Sequence, residues 1–184
     1  MQQEFVFSGF GGQGVMFIGQ LLAYAAMDNG KEVTWIPSYG PEMRGGTANC
    51  TVVVSNKPIG SPITSQPKIG IIFNRPSFVK YEAIIKPGGL LVVNSSLIPD
   101  AETEREDITL INIPATDIAY ELGNARLTNI IMIGAALTVQ PVLPVDAIRQ
   151  ALSGHIPSHR RNMLDVNYKA LAKGAEFASA QVSA

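Results

Sequence analysis

The sequence predicts an α/β fold: a three-layer α/β/α Rossmann-like sandwich whose sheet is mostly parallel, with at least one antiparallel strand. Three observations carry that expectation. Short apolar, strand-like runs alternate with segments of helical periodicity. A glycine-rich turn joins the first strand directly to the first helix. A β-branched run at Asn49–Val54, the turn residues Ser55-Asn56-Lys57 and a return segment at Pro58–Ile63 together read as an antiparallel excursion. At 184 residues the chain fits one domain spanning 1–184, with enough interior to build its own core.

Each element has a local reason. Glu4–Ser8 is a short buried strand that runs into Gly9-Phe10-Gly11-Gly12-Gln13-Gly14. From Val15 the apolar residues Ile18, Leu21, Leu22, Ala25 and Ala26 recur three and four apart, which places them on one face of a helix. Asn29-Gly30 ends that helix, since both residues tolerate the left-handed conformation. Glu32–Ile36 is a second strand, and the strand–helix–strand unit is expected to close as a right-handed crossover between parallel strands. Lys68–Phe73, Gly89–Asn94 and Thr109–Ile113 are further strands. A short helix at Ser77–Lys86 lies among them, and Pro99–Asp107 is a polar surface loop. After Pro114 the chain turns helical over Thr116–Leu122, Asn129–Leu137, Pro144–Leu152 and Arg161–Ala178. Pro144 suits a first helical turn, where its missing N–H costs nothing.

Composition narrows the function. The hydrophobic fraction is 46%, the charged fraction 16% and the formal net charge -1, so nothing points to a nucleic-acid or acidic-membrane partner. A single cysteine, Cys50, excludes an intrachain disulfide framework and a cysteine-ligated iron–sulfur cluster held by this chain alone. A cytoplasmic setting is the expectation, with no signal peptide before the first strand and no apolar run long enough to span a bilayer.

The first candidate site is the glycine loop. Gly9, Gly11 and Gly14 have the spacing G-x-G-x-x-G, with Gly12 and Gln13 between, and the loop sits between a strand and a helix. Glycines there permit a sharp turn and close approach of a ligand to the main chain. The helix N-terminus beyond them offers free N–H groups and the positive end of its dipole to an anion. The same glycines would also serve a tight turn with no ligand. A dinucleotide would call for an acidic residue at the end of the second strand, where this chain has Ile36-Pro37-Ser38. Val15-Met16 after Gly14 is not a Walker-type continuation.

The second candidate is the loop Tyr39-Gly40-Pro41-Glu42-Met43-Arg44-Gly45-Gly46. Its turn residues frame a carboxylate and a guanidinium. An arginine on such a loop can grip a phosphate, a carboxylate or a partner's acidic side chain with two parallel hydrogen bonds. A pairing of Glu42 with Arg44 that only shapes the loop is the other reading.

Together the two loops resemble the gamma subunit of the pyruvate/2-oxoacid:ferredoxin oxidoreductases, over nearly the whole chain and most strongly from Ser8 to Pro62. The resemblance implies a noncatalytic subunit that binds no cofactor alone and contributes no catalytic residue or metal ligand. It implies partner alpha and beta subunits that hold thiamine diphosphate and magnesium between them, a ferredoxin-like delta subunit as a further candidate partner, and ferredoxin as the electron acceptor. The complex would use iron–sulfur clusters and coenzyme A to convert a 2-oxoacid, such as 2-oxoglutarate or a branched-chain 2-oxoacid, to an acyl-CoA. Gly9, Gly11, Gly12, Gln13, Gly14, Tyr39, Gly40, Pro41, Glu42, Arg44, Gly45 and Gly46 then become coenzyme A or subunit-contact residues. The sequence carries no Gly-Asp-Gly segment of the kind that begins a thiamine-diphosphate magnesium motif. His155, His159, Arg160 and Arg161 read either as a small basic patch or as a solvated loop, and Cys50 as a core residue. Two further readings stay open: an independent Rossmann-type small-molecule or nucleotide-binding protein, and a structural adaptor.

Overall fold

A computed structural model describes residues 2–38 and 47–182. Its elements are β1 (Gln2–Phe10), α1 (Val15–Asp28), β2 (Glu32–Ser38), β3 (Thr47–Ser55), β4 (Ile69–Ile72), α2 (Arg75–Glu82), β5 (Gly89–Asn94), β6 (Ile108–Ile113), α3 (Ala115–Glu121), α4 (Thr128–Val139), α5 (Val145–His155) and α6 (Leu164–Val182). Two 3-10 segments, Ala125–Leu127 and Ser158–Met163, lead into α4 and α6.

The strands form one sheet in the order β2-β3-β1-β4-β5-β6. β1, β4, β5 and β6 run parallel, whereas β3 is antiparallel to both β1 and β2. The antiparallel strand expected from the β-branched run is therefore present. The crossover expected for the first forty residues needs amendment. β1 and β2 do point the same way, but they are not neighbours, because β3 lies between them with Val52 opposite Phe5 on one side and Trp35 on the other. Pro58–Ile63 is not a strand. Pro58 and Pro62 offer no N–H to a ladder and Gly60 sits between them, so the segment makes bends instead.

The layers are unequal. Phe5, Phe7, Cys50, Val52, Ile71, Val92 and their neighbours face a large core closed by α1, α3, α4, α5 and α6. The opposite face has a smaller core, with Phe78 and Tyr81 of α2 together with Ile85, Ile98 and Ala101 on Val6, Ile72, Leu91 and Val93. α4 is the central helix, with every residue from Thr128 to Leu137 buried. A helix that is apolar all round must be enclosed, and each of its Ile and Leu side chains contributes about 1.5–3 kcal/mol by leaving water. α6 crosses α4 with almost no side chain between them. A Cβ on Gly174 would run into the carbonyl of Ile131, and one on Gly134 into that of Leu171.

The topology also sets the surroundings of the first glycine loop. The chain leaves β1 through α1 toward β2 and leaves the adjacent β4 through α2 toward β5. The loops after β1 and β4 therefore diverge, which opens a crevice at the carboxyl ends of these strands.

Candidate functional site

The first glycine loop lies at that crevice and is held from several sides. Gln13 is its clasp: its side-chain carbonyl accepts from Phe10 N at 2.6 Å and its amide donates to Phe73 O at 3.4 Å, so it ties the ends of β1 and β4 together. Gly9 is required by close packing, because a Cβ there would stand 2.5 Å from Gln13 Oε1 and 2.7 Å from Phe73 Cβ. The left-handed backbone falls on Gly12 (φ +94°) and Gly14 (φ +76°), and Gly11 is not in that region. Gly14 caps α1 and accepts the first helical hydrogen bond, from Ile18 N at 3.0 Å. Beside this loop Asn74 caps α2 by accepting from Ser77 N at 2.9 Å, and the buried Ser8 hydroxyl donates to Ser77 Oγ at 2.8 Å.

Around the start of α1 a cleft of about 520 Å³ opens. Gly12, Gln13, Gly14 and Phe17 form one side. Asn124 and Arg126, just before α4, form another, and His159, Arg160 and Asn162 close the third. Asn129 and Asn167 lie at its back, both buried. Asn129 reaches across from α4 to donate to Gly14 O at 3.2 Å, while its own Oδ1 is buried with no hydrogen-bond partner. The described residues lining this cleft include two arginines, a histidine, four asparagines and a glutamine, and none of them is acidic. Neither Arg126 nor Arg160 belongs to any ion pair among the described residues. Among the described residues, two guanidiniums outside any ion pair, the positive end of a helix and neutral amides give the cleft a chemistry that suits a multiply charged anion.

A second, smaller cleft of about 250 Å³ continues beyond Phe17 and shares Phe17, Ile156 and Arg160 with the first. Here the Tyr24 and His155 rings stack at 4.2 Å, and His155 Nε2 lies 2.9 Å from Asp28 Oδ2.

The structure thus brings Gly12, Gln13 and Gly14 to a cleft, puts Gly9 behind them as a packing residue, and leaves Gly11 exposed on the turn. Tyr39, Gly40, Pro41, Glu42, Arg44, Gly45 and Gly46 lie outside the described residues. His159, Arg160 and Arg161 are exposed, yet His159 and Arg160 are also cleft walls, so the solvated-loop reading is incomplete. Sequence reasoning missed Asn124, Arg126, Asn129 and Asn167. Asn129 alone left a signal, as a polar residue at the head of the apolar run Ile130–Ile133. Cys50 is in the core as expected: burial pushes its thiol up to about 12, and the nearby Trp35 indole offsets a smaller part of that shift. Among the described residues no group of three or more His, Cys, Asp or Glu side chains could hold a metal ion, and no helix is long and apolar enough to cross a membrane.

The dinucleotide reading meets a physical obstacle. In a dinucleotide fold the strand after the first helix lies beside the first strand and carries the ribose-binding acid. Here that place beside β1 belongs to the antiparallel β3.

Comparison with known proteins gives a consistent result. The sequence family described as pyruvate ferredoxin/flavodoxin oxidoreductase matches residues 4–177. The ketoisovalerate oxidoreductase subunit VorA of Methanothermobacter marburgensis is 35% identical over 176 residues, covering 93% of this chain and 35% of the relative. The chain thus spans about a third of the length of that relative. The 2-oxoglutarate synthase subunit KorC of Methanocaldococcus jannaschii is 33% identical over 180 residues, covering 97% of this chain and 95% of the relative. Two solved structures share the fold. The keto/oxoacid ferredoxin oxidoreductase gamma subunit from Geobacter sulfurreducens superposes with a TM-score of 0.82 at 28% identity, covering 97% of this chain and 99% of that one. The 2-oxoglutarate:ferredoxin oxidoreductase from Magnetococcus marinus, solved with 2-oxoglutarate, coenzyme A and succinyl-CoA bound, gives 0.86 at 24% identity, covering 97% of this chain and 31% of that one.

Proposed function

The chain belongs to the pyruvate ferredoxin/flavodoxin oxidoreductase family, as a gamma-type subunit, and from that premise we propose that it works in a multi-subunit 2-oxoacid:ferredoxin oxidoreductase and holds part of coenzyme A in the cleft at its first glycine loop. In the assembled enzyme a 2-oxoacid loses carbon dioxide, the electrons pass through iron–sulfur clusters to ferredoxin, and the acyl group is transferred to coenzyme A. The 2-oxoacid is 2-oxoglutarate or a branched-chain acid, in keeping with the activities named for the relatives. Thiamine diphosphate, magnesium and the clusters belong to the alpha, beta and delta-type partners. The one cysteine of this chain is a protonated core residue, and the sequence offers no magnesium–diphosphate motif.

The observation that carries the coenzyme A reading is the charge of the cleft: Arg126 and Arg160 face the start of α1, and no acidic side chain lines the space among the described residues. Coenzyme A brings a diphosphate and a phosphorylated ribose, which need this kind of environment. The chain's own residues bind and orient: backbone N–H groups at Val15 and beyond meet a phosphate, the arginines pair with its charge, and Gln13 and Asn129 keep the loop in shape. Arg44, on the second glycine loop, supplies a further phosphate contact or grips an acidic group on a neighbouring subunit.

The test is to co-express the chain with its candidate partners and assay coenzyme A-dependent oxidation of 2-oxoglutarate and ketoisovalerate. Wild type co-purifies with larger thiamine- and cluster-containing subunits. Arg126→Glu raises KM for coenzyme A by roughly tenfold or more, while assembly and KM for the 2-oxoacid stay as they were. A chain that purifies free of such subunits, or an Arg126→Glu enzyme with an unchanged coenzyme A KM, refutes the corresponding half of the proposal.

A further inference from the structure

We infer that the 3-10 segment Ser158–Met163 is a strap that responds to the ligand, with Arg160 as the residue that docks it. This inference rests on the coenzyme A reading of the cleft and adds to it a moving wall.

The segment differs from the rest of the cleft. The other walls are anchored: Gly14 by Asn129, Gln13 by Phe10 and Phe73, and the turn before α4 by Asn124, whose Oδ1 accepts from Arg126 N at 3.0 Å. Ser158–Met163 has no buried residue. It begins after Pro157, whose carbonyl accepts from Arg160 N at 2.9 Å, and its far end is tied down where Asn167 Nδ2 donates to Met163 O at 2.6 Å. It is therefore tied at its Met163 end and held before that only by its own turn, which marks it as a segment that opens at small cost. Arg160 lies at the junction of the two clefts, lines both, and has no acidic partner among the described residues. An anion at the start of α1 is the missing partner. Asn129 Oδ1 is buried without a hydrogen-bond partner at the back of the same space, so the protein leaves this wall of the cleft incompletely satisfied. With an anion in place, Arg126 and Arg160 grip it from opposite walls, and the strap closes over the cleft.

Arg160 and Arg161 make the test direct, because each is a trypsin site. The full chain, alone and in its assembled enzyme, is digested with trace trypsin while mass spectrometry follows cleavage after Arg160 and Arg161, with and without coenzyme A. Binding of coenzyme A is measured separately by calorimetry. If cleavage requires the strap to open, coenzyme A at ten times its Kd slows cleavage at these two bonds by about tenfold, and leaves tryptic bonds remote from the cleft unchanged. Arg160→Gln binds coenzyme A roughly tenfold more weakly. At ligand concentrations that saturate this variant, the bond after Arg161 is no longer protected. Arg161→Gln, outside the cleft lining, binds as wild type does and keeps protection at Arg160. Calorimetric binding with unchanged cleavage at both bonds overturns the strap and spares the ligand reading. Full protection of Arg161 in saturated Arg160→Gln overturns the role of Arg160. No binding to chain or complex overturns both inferences.

Discussion

Replacing Gly14 by alanine perturbs the loop at the point where three of its features meet. Gly14 has φ +76°, it caps α1, and it is the backbone on which Asn129 rests. An alanine in the left-handed region costs about 1–2 kcal/mol from its own Cβ. The new Cβ would overlap Asn129 Nδ2. The buried amide must therefore rotate away and give up its 3.2 Å hydrogen bond to Gly14 O, for a further 0.5–1.5 kcal/mol or so. The expected loss is about 2–4 kcal/mol in total once the stranded amide is included. Urea denaturation reads this as a lower midpoint at unchanged slope, and coenzyme A binding weakens in the fraction that folds. A double-mutant cycle separates the two causes. Asn129→Ala alone loses the hydrogen bond, but in the Gly14→Ala background it also removes the clash, so the double variant is less destabilised than the sum of the singles by about 1 kcal/mol or more. Additive effects within about 0.5 kcal/mol, or a Gly14→Ala protein as stable as wild type, would refute the reasoning.

Two further outcomes are expected. Gly174→Ala gains about 1 kcal/mol of helix propensity but drives a methyl into the Ile131 carbonyl, which cannot rotate aside. The overpacking term of about 1–3 kcal/mol or more wins, so Tm falls, and a Tm equal to or above wild type would contradict the backbone contact. Cys50 resists alkylation in the native protein at neutral pH and reacts on unfolding, because burial raises its pKa from 9.0 to about 12. The folded state then holds a proton that the unfolded state releases above pH 9, so stability falls between about pH 9 and 12 with a slope of up to ~1.4 kcal/mol per pH unit. Cys50→Ala flattens this part of the profile relative to wild type, and an identical pH dependence in both proteins would argue against a buried thiol.

Where local residues decide, the sequence reading came close. Gly89–Asn94 was expected as a strand and is β5, and the helix beginning at Val15 ends just before Asn29-Gly30 as its turn residues indicate. The insertion of β3 was not legible, because Val52 and Val53 suit a parallel or an antiparallel neighbour equally well, and the choice depends on which edges are free in three dimensions. The cleft was only half legible. Gly12–Gly14 advertise a turn at a helix start, but their opposite walls come from residues near Asn129 and Arg160. The Asn129–Gly14 contact spans 115 positions in the chain, and no local pattern encodes it. The sequence leaves Arg160 open between a small basic patch and a solvated loop. It is solvated, but the fold also brings it to the mouth of the cleft.

The position of β3 has a consequence for synthesis. The chain is made in the order β1, α1, β2, β3, yet β3 fills the slot between β1 and β2. A nascent chain halted before Thr47 therefore carries two strands whose backbone edges toward β3 are both unpaired. Such an intermediate can pair with other chains as readily as with itself. Once Ser55 has cleared the ribosome a single strand closes two edges at once, and the remaining edge of β1 waits for β4. Translation speed across the codons for 39–55, and chaperone supply during that interval, should therefore set the yield of native protein more strongly than events at the C-terminal helices.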